Sequence, residues 1–206
     1  MNDDLTAKAR LREAAIELIA QDEPTTARSV AELAGVSPGL IRHHYGSMKE
    51  LISACDRHIA NLIRQSKEDS VASGTSVDVL QKLHSIGEQH LVSYLAHRLV
   101  QGGKEIDSLI DLMAQDAAAY IQQAIDVGIM RPVKDVDVLA KMAIIYSLGS
   151  LTLHKHLDRL LHVDVTDSDL TRQPGLPSYI NVQYELFGAL FTPGILEKLQ
   201  PRTSQE

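Results

Sequence analysis

Apolar side chains recur every three or four positions along this chain, and no run of alternating β-branched residues is bounded by hairpin turn signals. The pattern predicts helices throughout, an all-α fold. The first helix is expected over 6–21, with Leu11, Ala14, Ala15, Leu18 and Ile19 on one face. Pro24 prevents its continuation. Thr26 suits the N-cap of a short helix over 27–34, and Gly35 follows where a left-handed backbone is easiest. Ser37 is the expected cap of a third helix reaching 44, with Pro38 at its first position, where a missing N–H costs little. Ser47 and Glu50 have capping-box spacing and open a fourth helix to 67, striped by Leu51, Ala54, Cys55, Ile59 and Leu62.

The polar stretch "SKEDSVASGTS" then reads as a connection between a compact N-terminal unit and the rest. Longer helices are expected over 77–100, 105–127, 136–161 and 179–191, separated by breaker-rich segments. The last two are apolar over more than one face, so they need cover on both sides. A one-core monomer meets that need, and so does pairing with a second copy.

At 206 residues, 44% apolar and 23% charged, the composition is that of a folded globular protein. The single cysteine, Cys55, excludes an intramolecular disulfide and fits a reducing compartment. The opening "MNDDLTAKAR" is acidic and lacks an apolar run, so no secretory signal is expected, and no stretch has the apolar length of a membrane span. A cytoplasmic protein without a membrane partner is the expectation. The net charge of −7 argues against a broadly basic nucleic-acid binder. Between Pro24 and Lys49, however, the only charges are Arg28, Arg42 and Lys49 against Glu32, so positive charge is concentrated locally.

The histidines do not form a metal site by spacing. His43 and His44 point about 100° apart on a helix, and the two of "HKH" at 154–156 also face apart, which suits a solvated helix terminus. His84, His90 and His97 fall at spacings of six and seven; His90, beside Leu91 and Tyr94, either lines a cavity or is an ordinary satisfied histidine. "GGK" at 102–104 lacks the upstream glycine and following hydroxyl of a phosphate loop. Cys55 has no evident activator, and no Ser-His-Asp or paired-carboxylate arrangement stands out. No catalytic residue, metal or cofactor is expected.

The short helices carry the signal. Helix, glycine-containing turn, helix is the layout of a helix-turn-helix. Ala31 is small where the two helices cross, Gly35 comes in the turn and Ile41 anchors the second helix. The segment "TTARSVAELAGVSPGLIRHHYGSMKEL" resembles the DNA-binding domain of the TetR-type transcriptional regulators, which commonly read T-x-x-x-I-A-x-x-A-G-V-S-x-G-x-L-Y-x-H-F-x-S-K-x-x-L. Thr26, Val30, Ala31, Ala34, Gly35, Val36, Ser37, Gly39, Ile41, His44, Tyr45, Ser47 and Leu51 match, and "RLREAAIELIAQ" resembles that family's first helix. Two positions depart from the pattern: Arg42 stands where the family usually has Tyr, and Met48 where it usually has Lys, with Lys49 one place on.

The resemblance implies a helix-turn-helix DNA-binding domain over 1–47 and a larger helical domain over 48–206 for effector binding and dimerisation, entered through a linking helix over 48–70. Ser37, Pro38, Gly39 and Leu40 would approach base edges in the major groove of double-stranded operator DNA. Thr26, Arg28, Arg42, His43, Tyr45 and Lys49 would lie nearer its backbone. Arg42 brings a fork suited to phosphate or guanine, while Tyr45 doubles as a packing anchor. Tyr94, Met113, Tyr120, Met142 and Tyr146, with His90, are candidates to line the pocket of a small-molecule effector, ordinary core packing being the alternative. The last two long helices would pair with those of a second copy, Gly149, Ser150, Gly188 and Ala189 permitting close approach. The implied function is a ligand-responsive repressor; a helical binding protein or enzyme with a vestigial helix-turn-helix, and a protein-interaction module, are the rivals.

Overall fold

The apolar stripe of the N-terminal segment carries one helix, α1 (Asn2–Ala20), in the computed structural model, which describes residues 2–70, 90–167 and 169–194. Asp22 takes a left-handed backbone (φ 60°), and Glu23 N–H reaches back to the Leu18 carbonyl at 2.9 Å, which closes α1 ahead of Pro24. α2 (Ala27–Leu33) opens on a reciprocal cap: Ser29 N–H donates to Thr26 Oγ1 at 3.1 Å, and Thr26 N–H to Ser29 Oγ at 2.9 Å. It closes on Gly35 at φ 65°, with Val36 N–H to the Ala31 carbonyl at 2.9 Å and Gly35 N–H to the Glu32 carbonyl at 3.1 Å. Both helix ends satisfy carbonyls that the last turn would leave orphaned.

α3 (Gly39–Tyr45) starts differently from expectation. Pro38 already has helical angles (φ −59°, ψ −25°), and Leu40 N–H bonds to the Ser37 main-chain carbonyl at 3.1 Å; no side chain caps the helix. The hydroxyl of Ser37 is therefore not spent on capping. Gly46 (φ 81°) ends α3, and Ser47 Oγ accepts from Glu50 N–H at 3.2 Å to open α4 (Met48–Ser70).

Of the helix expected over 77–100, the part from residue 90 onward is described, as α5 (Leu91–Gln101); residues 71–89, including His84 and most of the polar connection, lie outside the described residues. α6 (Lys104–Asp126) follows after Gly102 and Gly103, both at positive φ. The chain divides into two compact units, 1–110 and 111–206, so α5 belongs with the helix-turn-helix in packing. In the first unit α1 lies against α2, α3, α4 and α5. Leu11, Ala15, Val30, Ala31, Ile41, Leu51, Cys55, Ile59, Leu91 and Leu95 are buried there.

That core also contains charge. Arg98 on α5 grips Asp56 on α4 as a fork, Nε to Oδ1 at 2.9 Å and Nη2 to Oδ2 at 2.8 Å, with both residues buried. Tyr94 donates its hydroxyl to Asp56 Oδ1 at 2.6 Å, and Arg98 also donates to Gln101 Oε1 and the Gly102 carbonyl. The carboxylate accepts three hydrogen bonds, two of them from the guanidinium, which is what makes a buried ion pair tolerable.

In the second unit α7 (Val136–Thr152) is capped by Asp135, whose Oδ1 accepts from Val138 N–H at 3.0 Å. The single helix expected over 136–161 is broken at Leu153: α7 and α8 (His154–Leu161) meet at 77°. Thr152 and Ser150 hydroxyls donate to the Gly149 and Ser147 carbonyls, and a His154 ring nitrogen lies 2.8 Å from the Leu151 carbonyl, so side chains take over the ladder where the helix stops. "HKH" thus opens α8 instead of ending a helix. The helix expected over 179–191 begins earlier, as α9 (Leu176–Phe187), and finishes in a 3-10 turn (Gly188–Leu190), after which Phe191 pairs with Met130. Ile121, Met130 and Ala140 form a core under Leu139, Leu190 and Phe191. No single described helix is long and apolar enough to cross a membrane.

Candidate nucleic-acid interface

Burial of Ala31 and Ile41 seats α2 and α3 on α1, and that leaves the opposite side of α3 outward. Ser37, Pro38, Gly39, Arg42 and His43 are exposed, and Leu40 is half-buried. Thr26, Arg28 and Lys49 are exposed on the flanking elements. The structure therefore brings nine of the ten expected contact positions to accessible ground around one short helix.

Tyr45 is the tenth, and it is engaged inside the protein. Its hydroxyl donates to the Lys8 carbonyl of α1 at 2.7 Å, tying the end of α3 down, and partial burial raises its pKa above the ordinary phenol value. Its proton is committed to that bond, which makes it an anchor for α3. Thr26 is likewise occupied by its capping partner Ser29.

The charges distinguish this surface. Lys8, Arg10, Arg28, Arg42 and Lys49 are exposed and form no ion pair with any described residue, whereas Arg12 pairs with Glu13 at 2.7 Å. Lys8 and Arg10 were missed by reasoning from the motif because they precede it. The signal was their position on either flank of the α1 stripe, at 100° per residue. Lys49 sits at the positive end of α4, where a cation opposes the helix dipole. A surface of exposed, unpaired cations in an acidic chain is suited to a polyanion.

The candidate effector residues are not gathered in the same way. His90 precedes α5 and is half-buried. Tyr94 is fully buried and committed to Asp56, and burial pushes its phenol pKa far up. Met113 is half-buried; Tyr120, Met142 and Tyr146 are 40%, 57% and 43% exposed. Their exposure departs from the expected enclosure because the buried face of α7 is Ala140, Ile144, Leu148 and Leu151, while Met142 and Tyr146 lie on its other side. Tyr146 meets the ring of Phe187 edge-on at 4.9 Å, which holds α9 against α7. Burial, then the nearby Asp56 charge, pushes the Cys55 thiol up to about 12, so it is an inert packing residue. Among the described residues no group of three or more His, Cys, Asp or Glu is placed to hold a metal ion. The Asp56–Arg98 fork left only a lone Asp beside the apolar stripe of α4 as a hint in the sequence, since over forty intervening residues separate the partners.

Comparison with known proteins agrees with the geometry. Residues 11–55 match the model of the bacterial regulatory proteins of the tetR family, and residues 88–194 match that of the tetracyclin repressor-like C-terminal domain. The chain is 33% identical over 166 residues to the HTH-type transcriptional regulatory protein RaaS of Mycobacterium tuberculosis, covering 80% of this chain and 76% of that protein. Its fold is similar to that of the ketosteroid transcriptional regulator KstR2 of Mycobacterium tuberculosis, with a TM-score of 0.56 at 20% identity, over 90% of this chain and 95% of the other. It is also similar to GusR of Salmonella enterica, with a TM-score of 0.54 at 15% identity, over 89% and 95% of the two chains. Those two likenesses speak to architecture alone.

Proposed function

Because this chain belongs to the TetR family of bacterial regulatory proteins, and is thus a DNA-binding transcriptional regulator, we propose that it is a homodimeric repressor released from its operator by a small molecule. Residues 1–47 act as the reading head, and 48–206 hold the effector and the second copy, with α4 as the link between them. In this reading α3 enters the major groove, offering Ser37, Pro38, Gly39 and Leu40 to base edges. Arg28, Arg42, His43 and Lys49 attend the phosphates. Arg42 stands where the family commonly has Tyr, and its fork supplies charge-assisted bonds in place of a phenol. Effector binding favours a spacing of the two heads that no longer matches half-sites roughly 34–36 Å apart. The reading assigns the chain no catalytic step.

The observation that carries the proposal is the set of unpaired, exposed cations around α3 in a chain of net charge −7. The test is retention of fragments from the source genome, followed by anisotropy on a retained fragment. Arg42→Ala and Lys49→Ala should each weaken binding and flatten the dependence of log K on log salt by about one unit per engaged head. Unchanged affinity and slope in both variants would remove these contacts from the interface.

A further inference from the structure

α1 also contributes to this surface. Residues 8 and 10 project about 200° apart on a helix, so they flank the buried stripe of Ala7 and Leu11 on opposite sides. The Lys8 ammonium lies 5.5 Å from the centre of the Tyr45 ring, at the C-terminal end of α3. On the other flank, Arg10 Nη1 comes within 3.9 Å of where a side chain on Gly35 would begin, in the turn that precedes α3. α1 thus crosses beneath the recognition helix and sets one cation near each of its two ends.

Both cations are exposed, and neither forms an ion pair with a described residue. Arg12, one turn beyond Lys8, is half-buried and held by Glu13, so the absence of partners is not a general property of the cations of α1. α3 has seven residues and is about 10 Å long, whereas the major groove is about 12 Å wide. A rod that short stays within the groove, and groups at its ends stand close to the phosphates that line the two walls. Lys side chains extend as flexible point charges and Arg as planar forks, and both bind phosphate well.

We infer that Lys8 and Arg10 of α1 are phosphate-binding residues for duplex DNA, bracketing α3 and enlarging the cationic footprint of each head from Arg28, Arg42 and Lys49 to five residues. This rests on the reading of α3 as the recognition helix. It also accounts for how a chain of net charge −7 gathers enough local attraction for a polyanion.

The experiment is anisotropy titration of the intact protein with a fluorescein-labelled, mixed-sequence duplex of about 30 bp, at several salt concentrations between roughly 50 and 200 mM. Lys8→Gln and Arg10→Gln should each reduce the slope of log K against log salt by about one unit per engaged head, and the double variant by about two. The charge-keeping variants Lys8→Arg and Arg10→Lys should restore the slope. A purely structural role, such as support of the Tyr45 ring, lowers affinity at all salt concentrations without altering the slope, and that result would overturn the inference. Arg42→Ala serves as the reference. If it flattens the slope while the double α1 variant keeps the wild-type slope, the α1 contacts fail and the groove reading stands. If wild-type protein shows no salt-dependent binding to duplex, the groove reading itself fails.

Discussion

The two compact units expose opposite things. Among the described residues of 1–110, the large apolar side chains left exposed are Leu33 and Val100, whereas residues 111–206 expose a dozen, including Val138, Met142, Ile145 and Tyr146 on α7 and Val182 and Leu186 on α9. The first unit closes its own core, even taking an ion pair inside, and leaves Lys8, Arg10, Arg28, Arg42 and Lys49 exposed without an ion pair to any described residue. The second leaves much of α7, α8 and α9 without apolar cover; no residue of α8 or α9 is buried. Exposed apolar side chains in that number are suited to packing against another molecule. One unit is closed around its own core; the other leaves apolar side chains exposed on three helices.

If the first unit is closed around its internal charge, disturbing that charge gives the largest effect. Arg98→Met leaves the Asp56 carboxylate buried without its fork, and the expected loss of stability is about 3–5 kcal/mol, read as a lower urea midpoint. Burial is the deciding factor: the Arg57–Glu105 pair, at 2.9 Å with Arg57 half-exposed, should lose less than about 1 kcal/mol on Arg57→Met. Similar losses for the two variants would mean that Asp56 is hydrated in solution and the first unit is less closed than it stands.

The second unit predicts a smaller effect on folding and a large one on assembly. Ile145 is 63% exposed on α7, next to Tyr146, whose ring holds α9. Ile145→Glu should change monomer stability by no more than about 0.5 kcal/mol, as expected for an exposed site. In a two-fold pair the substitution acts twice, so self-association should weaken by roughly a hundredfold or more, measured by sedimentation equilibrium. An unchanged dimer constant would place the pairing surface elsewhere.

The same contrast explains what the sequence made legible. The reading head is written in local signals: the Thr26 cap, Gly35 in a left-handed turn, Pro38 at a helix start and the three- to four-residue stripe of α1 each act over a few residues. The expected cap at Ser37 failed because the proline supplied the helical angles by itself. Farther along the chain, periodicity located α6, α7 and α9 but not the break at Leu153, which depends on hydroxyl and imidazole groups competing for the last carbonyls of α7. Met142 and Tyr146 fit an apolar stripe whichever way it faces, and their exposure is decided by tertiary packing that no local spacing records. The Asp56–Arg98 fork joins helices far apart in the chain and was not written locally at all.

The finest test of the comparison sets two glycines of the reading head against each other. Gly35 sits at φ 65°, and a side chain there would meet only the flexible end of Arg10 at 3.9 Å; its glycine is required by the backbone. Gly35→Ala should therefore cost roughly 1–2 kcal/mol of folding stability, with DNA affinity of the folded fraction nearly retained. Gly39 has no positive φ, and nothing in the protein lies within 4 Å of an added Cβ. Folding gives no reason for glycine at that position, and Gly39→Ala should leave stability unchanged or raise it by up to about 1 kcal/mol. The reason lies outside the chain if α3 is pressed into a groove, where one methyl group holds the helix off the base edges. Gly39→Ala should then lose affinity for a retained genomic fragment by about tenfold, or 1.4 kcal/mol, with its thermal midpoint intact. A Gly39→Ala protein that binds like wild type would show that this face of α3 does not touch the duplex, and the first unit's unpaired cations would need another polyanion to explain them.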